Sequence, residues 1–71
     1  MSTLATRLQD TLYEQRLSVN AFSKKVGISQ QAISKIIRGE TLNPKNIVEI
    51  ATALGVDVNW LKTGEGERDA D

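Results

Sequence analysis

The segment Val19 to Arg38, VNAFSKKVGISQQAISKIIR, places a single glycine, Gly27, between two runs that each carry the spacing of a short helix. It constrains the chain more than any other part, because the second run is sorted into two chemically opposite faces. A helical residue advances its side-chain direction by about 100°, so Gln30, Ser34, Arg38, Gln31 and Lys35 fall within one arc of about 140°. Ala32, Ile36, Ile33 and Ile37 fall within the opposite arc, and no residue breaks the partition. The apolar arc requires a core beneath it. The other arc presents two amides, a hydroxyl and two cations, a set able to bond base edges and phosphate oxygens together.

Composition decides what can hold such helices in place. The chain has 71 residues, enough for one domain with one modest core. It has no cysteine for a bridge, and no cysteine or histidine for zinc, so helix packing must supply the stability. No metal or cofactor is expected, and nothing points to an oxidising compartment. No apolar run approaches the roughly 20 residues of a membrane span, and the N-terminus lacks the zones of a signal peptide. The expectation is a cytoplasmic chain with no membrane partner.

Nine Lys and Arg balance nine Asp and Glu, which on its own argues against a nucleic-acid partner. The distribution reverses that argument. Glu65, Glu67, Asp69 and Asp71 lie in the last seven residues with Arg68 as their only base. Residues 1 to 64 therefore carry eight bases against five acids, a net of +3, with Lys24, Lys25, Lys35, Arg38 and Lys45 grouped in the middle. Such a mild basic footprint predicts low affinity per monomer, so binding leans on dimerisation or on good base contacts.

The local signals predict an all-α chain, a compact bundle of five helices with short joints. Ser2 or Thr3 caps a first helix carrying Leu4, Leu8 and Leu12 and ending near Arg16. Ser18 caps a second, with Phe22 and Val26 toward the core. Gly27 ends it as a left-handed C-cap, Ser29 caps the third helix, and Gly39 stops it. Asn43 and Pro44 give a start signal for a fourth helix whose stripe is Ile47, Ile50, Ala51 and Leu54. Gly55 closes it, Asp57 caps a last helix with Val58 and Leu61, and Gly64 ends that. The domain is expected to span residues 1–64, with the helix-turn-helix at about 19–38. Residues 65–71, with no apolar side chain larger than Ala70, are expected to be a disordered acidic tail or the start of a linker.

A helix-turn-helix needs a small residue in the first helix, a glycine at the turn and apolar residues after it, and Ser23, Gly27, Ile28, Ile33 and Ile36 meet that order. Ser23 stands where alanine is more usual, and fits if its hydroxyl bonds back to the previous turn. A plain helical bundle with Gly27 as a mere C-cap is the alternative. The polar face of the third helix and the capping serines favour DNA.

Residues 17 to 62 resemble the amino-terminal DNA-binding domains of lambdoid phage repressors and their Cro relatives, the lambda-repressor-like or XRE-type helix-turn-helix proteins. The resemblance rests on KKVGISQQAIS, on RGETLNPK and on LGVDVNWLKTG. It implies a five-helix bundle that binds double-stranded operator DNA as a homodimer, and a phage or prophage repressor as the function. By the same resemblance Gln30, Gln31, Ser34 and Lys35 face base edges. A glutamine amide suits adenine N6 and N7, whereas Lys35 suits guanine O6 and N7. Phosphate contacts are expected from Ser18 and Asn20 at the start of the second helix, from Arg38, and from Lys45 at the start of the fourth. Lys24 and Lys25 read as solubilising. Leu12 and Ile37 stand where some relatives hold a buried ion pair, which implies an apolar contact here, and Leu42 replaces a basic backbone contact.

Trp60 reads first as core beneath the C-terminal helix, with a dimer contact as its alternative. Tyr13 reads likewise as a half-buried helix residue, with a stacking platform as its alternative. No histidine, cysteine or Gly-rich phosphate loop is present, so no catalytic residue and no small-molecule substrate is expected. Repressors of this type often continue through a linker into a dimerising, self-cleaving domain, and the acidic tail resembles the beginning of one. An antitoxin that binds a toxin and regulates its own operon is the second functional class, and an antirepressor is a further protein partner the family implies.

Overall fold

A computed structural model describes residues 3–41 and 44–69. Ser2, Leu42, Asn43, Ala70 and Asp71, which entered the sequence expectations, lie outside the described residues. The elements are α1 (Leu4–Glu14), α2 (Val19–Val26), α3 (Gln30–Ile37), α4 (Ile47–Leu54) and α5 (Val58–Thr63). The fold is all-α, as the local signals imply.

Four of the five helices begin with the same local device. The side chains of Thr3, Ser18, Ser29 and Asp57 each accept the amide N–H three residues on, from Thr6, Ala21, Ala32 and Trp60. Each bond satisfies a donor that the first helical turn would otherwise leave unpaired. α4 is the exception. It begins at Ile47, not at Pro44, and Asn46 precedes it without a side-chain cap bond. The Ile47 amide instead reaches the Pro44 carbonyl at 3.2 Å, so residues 44–47 form a tight turn. The helix starts where its apolar stripe starts, because the residues before Ile47 have little to bury.

Each helix contributes one fully buried large side chain: Leu8, Phe22, Ile33, Ile50 and Leu61. Around these five, α1 packs on α3, α3 on α2, α2 on α4, α4 on α5 and α5 back on α1, a closed ring of neighbours. Trp60 is half-buried against this core, as are Val26 and Ile37. Tyr13 is not half-buried as expected but 83% exposed, pointing away from the leucine face of α1.

Two polar side chains close the ring. Arg7, only 7% exposed, donates from Nε to the Leu61 carbonyl at 2.9 Å and from Nη2 to the Lys62 carbonyl at 3.0 Å. Those carbonyls belong to the last turn of α5, which has no helical partners for them. Gln15 does the same for α4, donating from Nε2 to the Leu54 carbonyl at 2.7 Å.

The C-terminal segment departs from expectation. Residues 65–69 return to the bundle: the Asp57 amide donates to the Arg68 carbonyl at 2.7 Å, and Val56 pairs with Asp69 in an isolated antiparallel bridge. The Arg68 guanidinium reaches Glu14 of α1 at 2.6 Å and Asp69 at 3.1 Å. A segment with no apolar side chain larger than alanine was expected to stay free. Backbone pairing and ion pairs hold it instead.

Candidate nucleic-acid interface

The angle between α2 and α3 is set at Gly27, whose φ of 77° lies in the left-handed region. Its amide and that of Ile28 both donate to the Ser23 carbonyl, at 2.9 and 3.2 Å, which seals the end of α2 and turns the chain. A Cβ on Gly27 would meet no atom within 4 Å. The glycine is therefore required by conformation, not by close approach. Ser23 is buried, and its hydroxyl donates to the Asn20 carbonyl at 2.8 Å, so the polar atom under the helix crossing is paired.

From this turn α3 presents its two arcs as the spacing implies. Ile33 and Ile36 are buried, and Ala32 and Ile37 are half-buried. On the opposite side Gln30, Gln31, Lys35 and Arg38 are exposed and Ser34 is half-buried. All five line one open depression along the helix. Gln31 and Lys35 also border a second groove, which runs past Ile28 and Ala32 to Pro44, Lys45 and Asn46. Lys45 thus shares a groove with Gln31 and Lys35 from the turn before α4, not from the helix N-terminus.

Arg38 is not free in the unbound chain. Its Nε lies 2.6 Å from the Glu40 carboxylate. The hydrogen bond from Arg38, reinforced by its charge, holds the Glu40 carboxyl below the ordinary carboxylate range and raises the Arg38 pKa in return. A phosphate must therefore compete with Glu40 for this guanidinium.

At the same end of α3, on its apolar side, Ile37 borders a groove with Leu12, Leu17, Val19, Tyr13 and Ser18. Leu12 is buried and Ile37 packs against the core that contains it, so no charge is desolvated at this pair of positions. Ser18 is exposed there, with its oxygen accepting the Ala21 amide at 3.0 Å, and Asn20 is exposed two residues further on. Of the residues singled out in the sequence, Gln30, Gln31, Ser34, Lys35 and Arg38 thus share one depression. Lys45 stands on its flank and Ser18 beyond its C-terminal end. Tyr13, expected to be half-buried, and Arg16, expected only to end the first helix, both border the surface next to Ser18.

Among the described residues no helix is long and apolar enough to cross a membrane. A helix-turn-helix family pattern matches residues 12–61, which covers all of α2, α3 and α4. The chain is similar to the HTH-type transcriptional regulators for conjugative element R391 of Providencia rettgeri and for conjugative element SXT of Vibrio cholerae. It is 37% identical to each over 67 residues, which cover 94% of this chain and 31% of each relative. It is also similar to the HTH-type transcriptional regulator PrtR of Pseudomonas aeruginosa, 36% identical over 64 residues covering 90% of this chain and 25% of that protein. The chain spans about a third of the length of the curated relatives it matches.

Proposed function

The chain belongs to the helix-turn-helix family, in its lambda-repressor-like, XRE-type branch, and from that premise we propose that it is a sequence-specific, double-stranded DNA-binding transcriptional regulator of the repressor type. Residues 1–64 form the DNA-binding domain, with residues 65–69 packed on it, and two copies bind a two-fold symmetric operator in the cytoplasm. The observation that carries the proposal is the open face of α3, where two amides, a hydroxyl and two cations share one depression above a fully apolar underside.

Gln30, Gln31, Ser34 and Lys35 read base edges, the amides by donor and acceptor pairs on adenine and Lys35 by donation to guanine. Ser18, Asn20, Arg38 and Lys45 hold phosphates and fix the register. Binding is the activity proposed for these residues, and no catalytic role is assigned to any of them. The similar regulators of conjugative elements support a role in controlling genes of a mobile element.

Selection of bound sites from random duplexes tests the proposal, followed by titration of a single half-site and the full palindrome at one salt concentration. A net charge of +3 on residues 1–64 neutralises few phosphates, so tight binding is expected only on the palindrome. Equal affinity per protein on both duplexes would refute the dimeric reading. Enrichment of no sequence would refute the function.

A further inference from the structure

We propose that Arg16, together with the Tyr13 hydroxyl, forms an additional DNA-phosphate clamp beside Ser18, and that the C-terminal Arg68 keeps this clamp cationic by holding Glu14. This inference rests on the DNA-binding reading above.

Tyr13, Glu14, Arg16, Leu17 and Ser18 line one open cleft where α1 gives way to α2. Three of them can donate to an anion. Arg16 is exposed and is paired with no acid among the described residues, Tyr13 is 83% exposed, and Ser18 uses only its oxygen, leaving its hydroxyl proton to donate. The cleft borders the groove that reaches Ile37, the last residue of α3, through Tyr13, Leu17 and Ser18. Ser18, read above as a phosphate contact, is common to both, so the clamp would extend the DNA-backbone contacts at the start of α2.

Arg16 is also the one described non-glycine residue with positive φ, at 58°. It is held there by the hydrogen bond its backbone N–H donates to the Tyr13 carbonyl at 3.0 Å and by the one the Leu17 N–H donates to the Leu12 carbonyl at 2.9 Å. These bonds fix the turn from which Arg16 projects, so its position beside Ser18 is built into the end of α1.

Glu14 is the only acid in the cleft, and a carboxylate there opposes a phosphate. Arg68 reduces that opposition, although it also pairs with Asp69. Its Nη1 lies 2.6 Å from Glu14, while the Arg68 carbonyl is fastened by the Asp57 amide and its neighbour Asp69 pairs with Val56. The acidic C-terminal segment thus supplies a second cation beside Arg16 that faces the acid at the clamp, and shares it with its own Asp69. A residue distant in sequence from the helix-turn-helix conditions its DNA surface.

The test measures binding to a random-sequence duplex and to the selected palindrome across salt, using the full chain and the variants Arg16→Ala, Lys35→Ala, Arg68→Ala, Glu14→Gln and the double variant Glu14→Gln with Arg68→Ala. Circular dichroism fixes a temperature at which every variant is folded. Arg16→Ala is expected to weaken both duplexes on the order of tenfold and to lower the salt slope by about 0.9, the signature of one lost phosphate contact. Tyr13→Phe has a smaller effect in the same direction. Arg68→Ala is expected to weaken binding about threefold at low salt, the scale of one like charge released nearby in water. Adding Glu14→Gln restores it. An unchanged salt slope in Arg16→Ala overturns the clamp. An Arg68→Ala defect that Glu14→Gln does not cure overturns the role of Arg68, since Arg68 would then act directly on DNA or through stability. If Lys35→Ala loses affinity while Arg16→Ala does not, the clamp fails and the DNA-binding reading stands; a wild-type chain that binds neither duplex sinks both.

Discussion

Replacing Arg7 with methionine keeps the buried stem and removes the guanidinium that joins α1 to α5, and the loss can be worked from its partners. The bond to the Leu61 carbonyl is buried, so that oxygen is left without a donor, at a cost of about 1–3 kcal/mol. The bond to the Lys62 carbonyl is only partly buried, and water replaces most of it, leaving about 1 kcal/mol. A cation at the C-terminal end of α5 is lost as well, worth about 0.3–1 kcal/mol against the helix dipole. Some of this returns because the buried guanidinium no longer has to be desolvated. The net expectation is a destabilisation of about 3 kcal/mol, a large share of the roughly 4–11 kcal/mol that holds a domain of 71 residues together. For a chain of this size that lowers Tm by about 12–24 °C. Thermal melting by circular dichroism measures it. Trp60 fluorescence reports locally, because that residue belongs to α5. Arg7→Lys keeps the charge with fewer directed donors and should fall between the two. A methionine variant that melts within about 3 °C of the parent would refute the reasoning, since a change below about 1 kcal/mol means the α5 carbonyls find other partners.

Other outcomes follow from the interface. Gly27→Val should destabilise by about 1–3 kcal/mol through backbone strain, and Gly27→Ala by less, because no atom waits within 4 Å and only the positive φ is at stake; denaturant melts rank the two. Gln30→Ala should cost about 1–3 kcal/mol at one operator position and relax the base preference there, whereas Arg38→Ala should weaken all duplexes alike and lower the salt slope by about one; binding to a panel of single-base operator variants separates them. Glu40→Gln should strengthen binding to every duplex, most at low salt, by releasing Arg38 from its 2.6 Å ion pair. Because Arg38 holds the Glu40 carboxyl low, their pair is present above the ordinary carboxylate range and is lost only as pH falls through the lowered value, so this pair should impose no pH dependence on affinity between about pH 6 and 8.

The parts of this fold that the sequence makes legible are those decided within one turn of helix. The four side-chain caps act over three residues, and the sorted faces of α3 follow from a fixed rotation per residue, so both survive folding unchanged. What escaped the sequence reading acts across the chain. Arg7 meets α5 across 54 positions, Gln15 meets α4 across 39, and Arg68 meets Glu14 across 54. A polar residue on a surface helix reads as solvated unless its partner is known, and the partner is set only by the packing of the ring. α1 nevertheless carried a signal. Counted from Leu4 at about 100° per residue, Arg7, Thr11 and Gln15 fall inside the same arc of about 140° that holds Leu4, Leu8 and Leu12. Tyr13 falls outside it, consistent with its exposure. A polar side chain inside an apolar arc cannot remain unpaired, because burying it without a hydrogen bond costs several times what a neighbouring methylene returns. All three are paired: Arg7 with the end of α5, Gln15 with the end of α4, and Thr11 with the carbonyl of Arg7 itself at 2.7 Å. The arc of α1 thus specifies which residues must find partners. Only the order in which the helices close the ring specifies which partners they find.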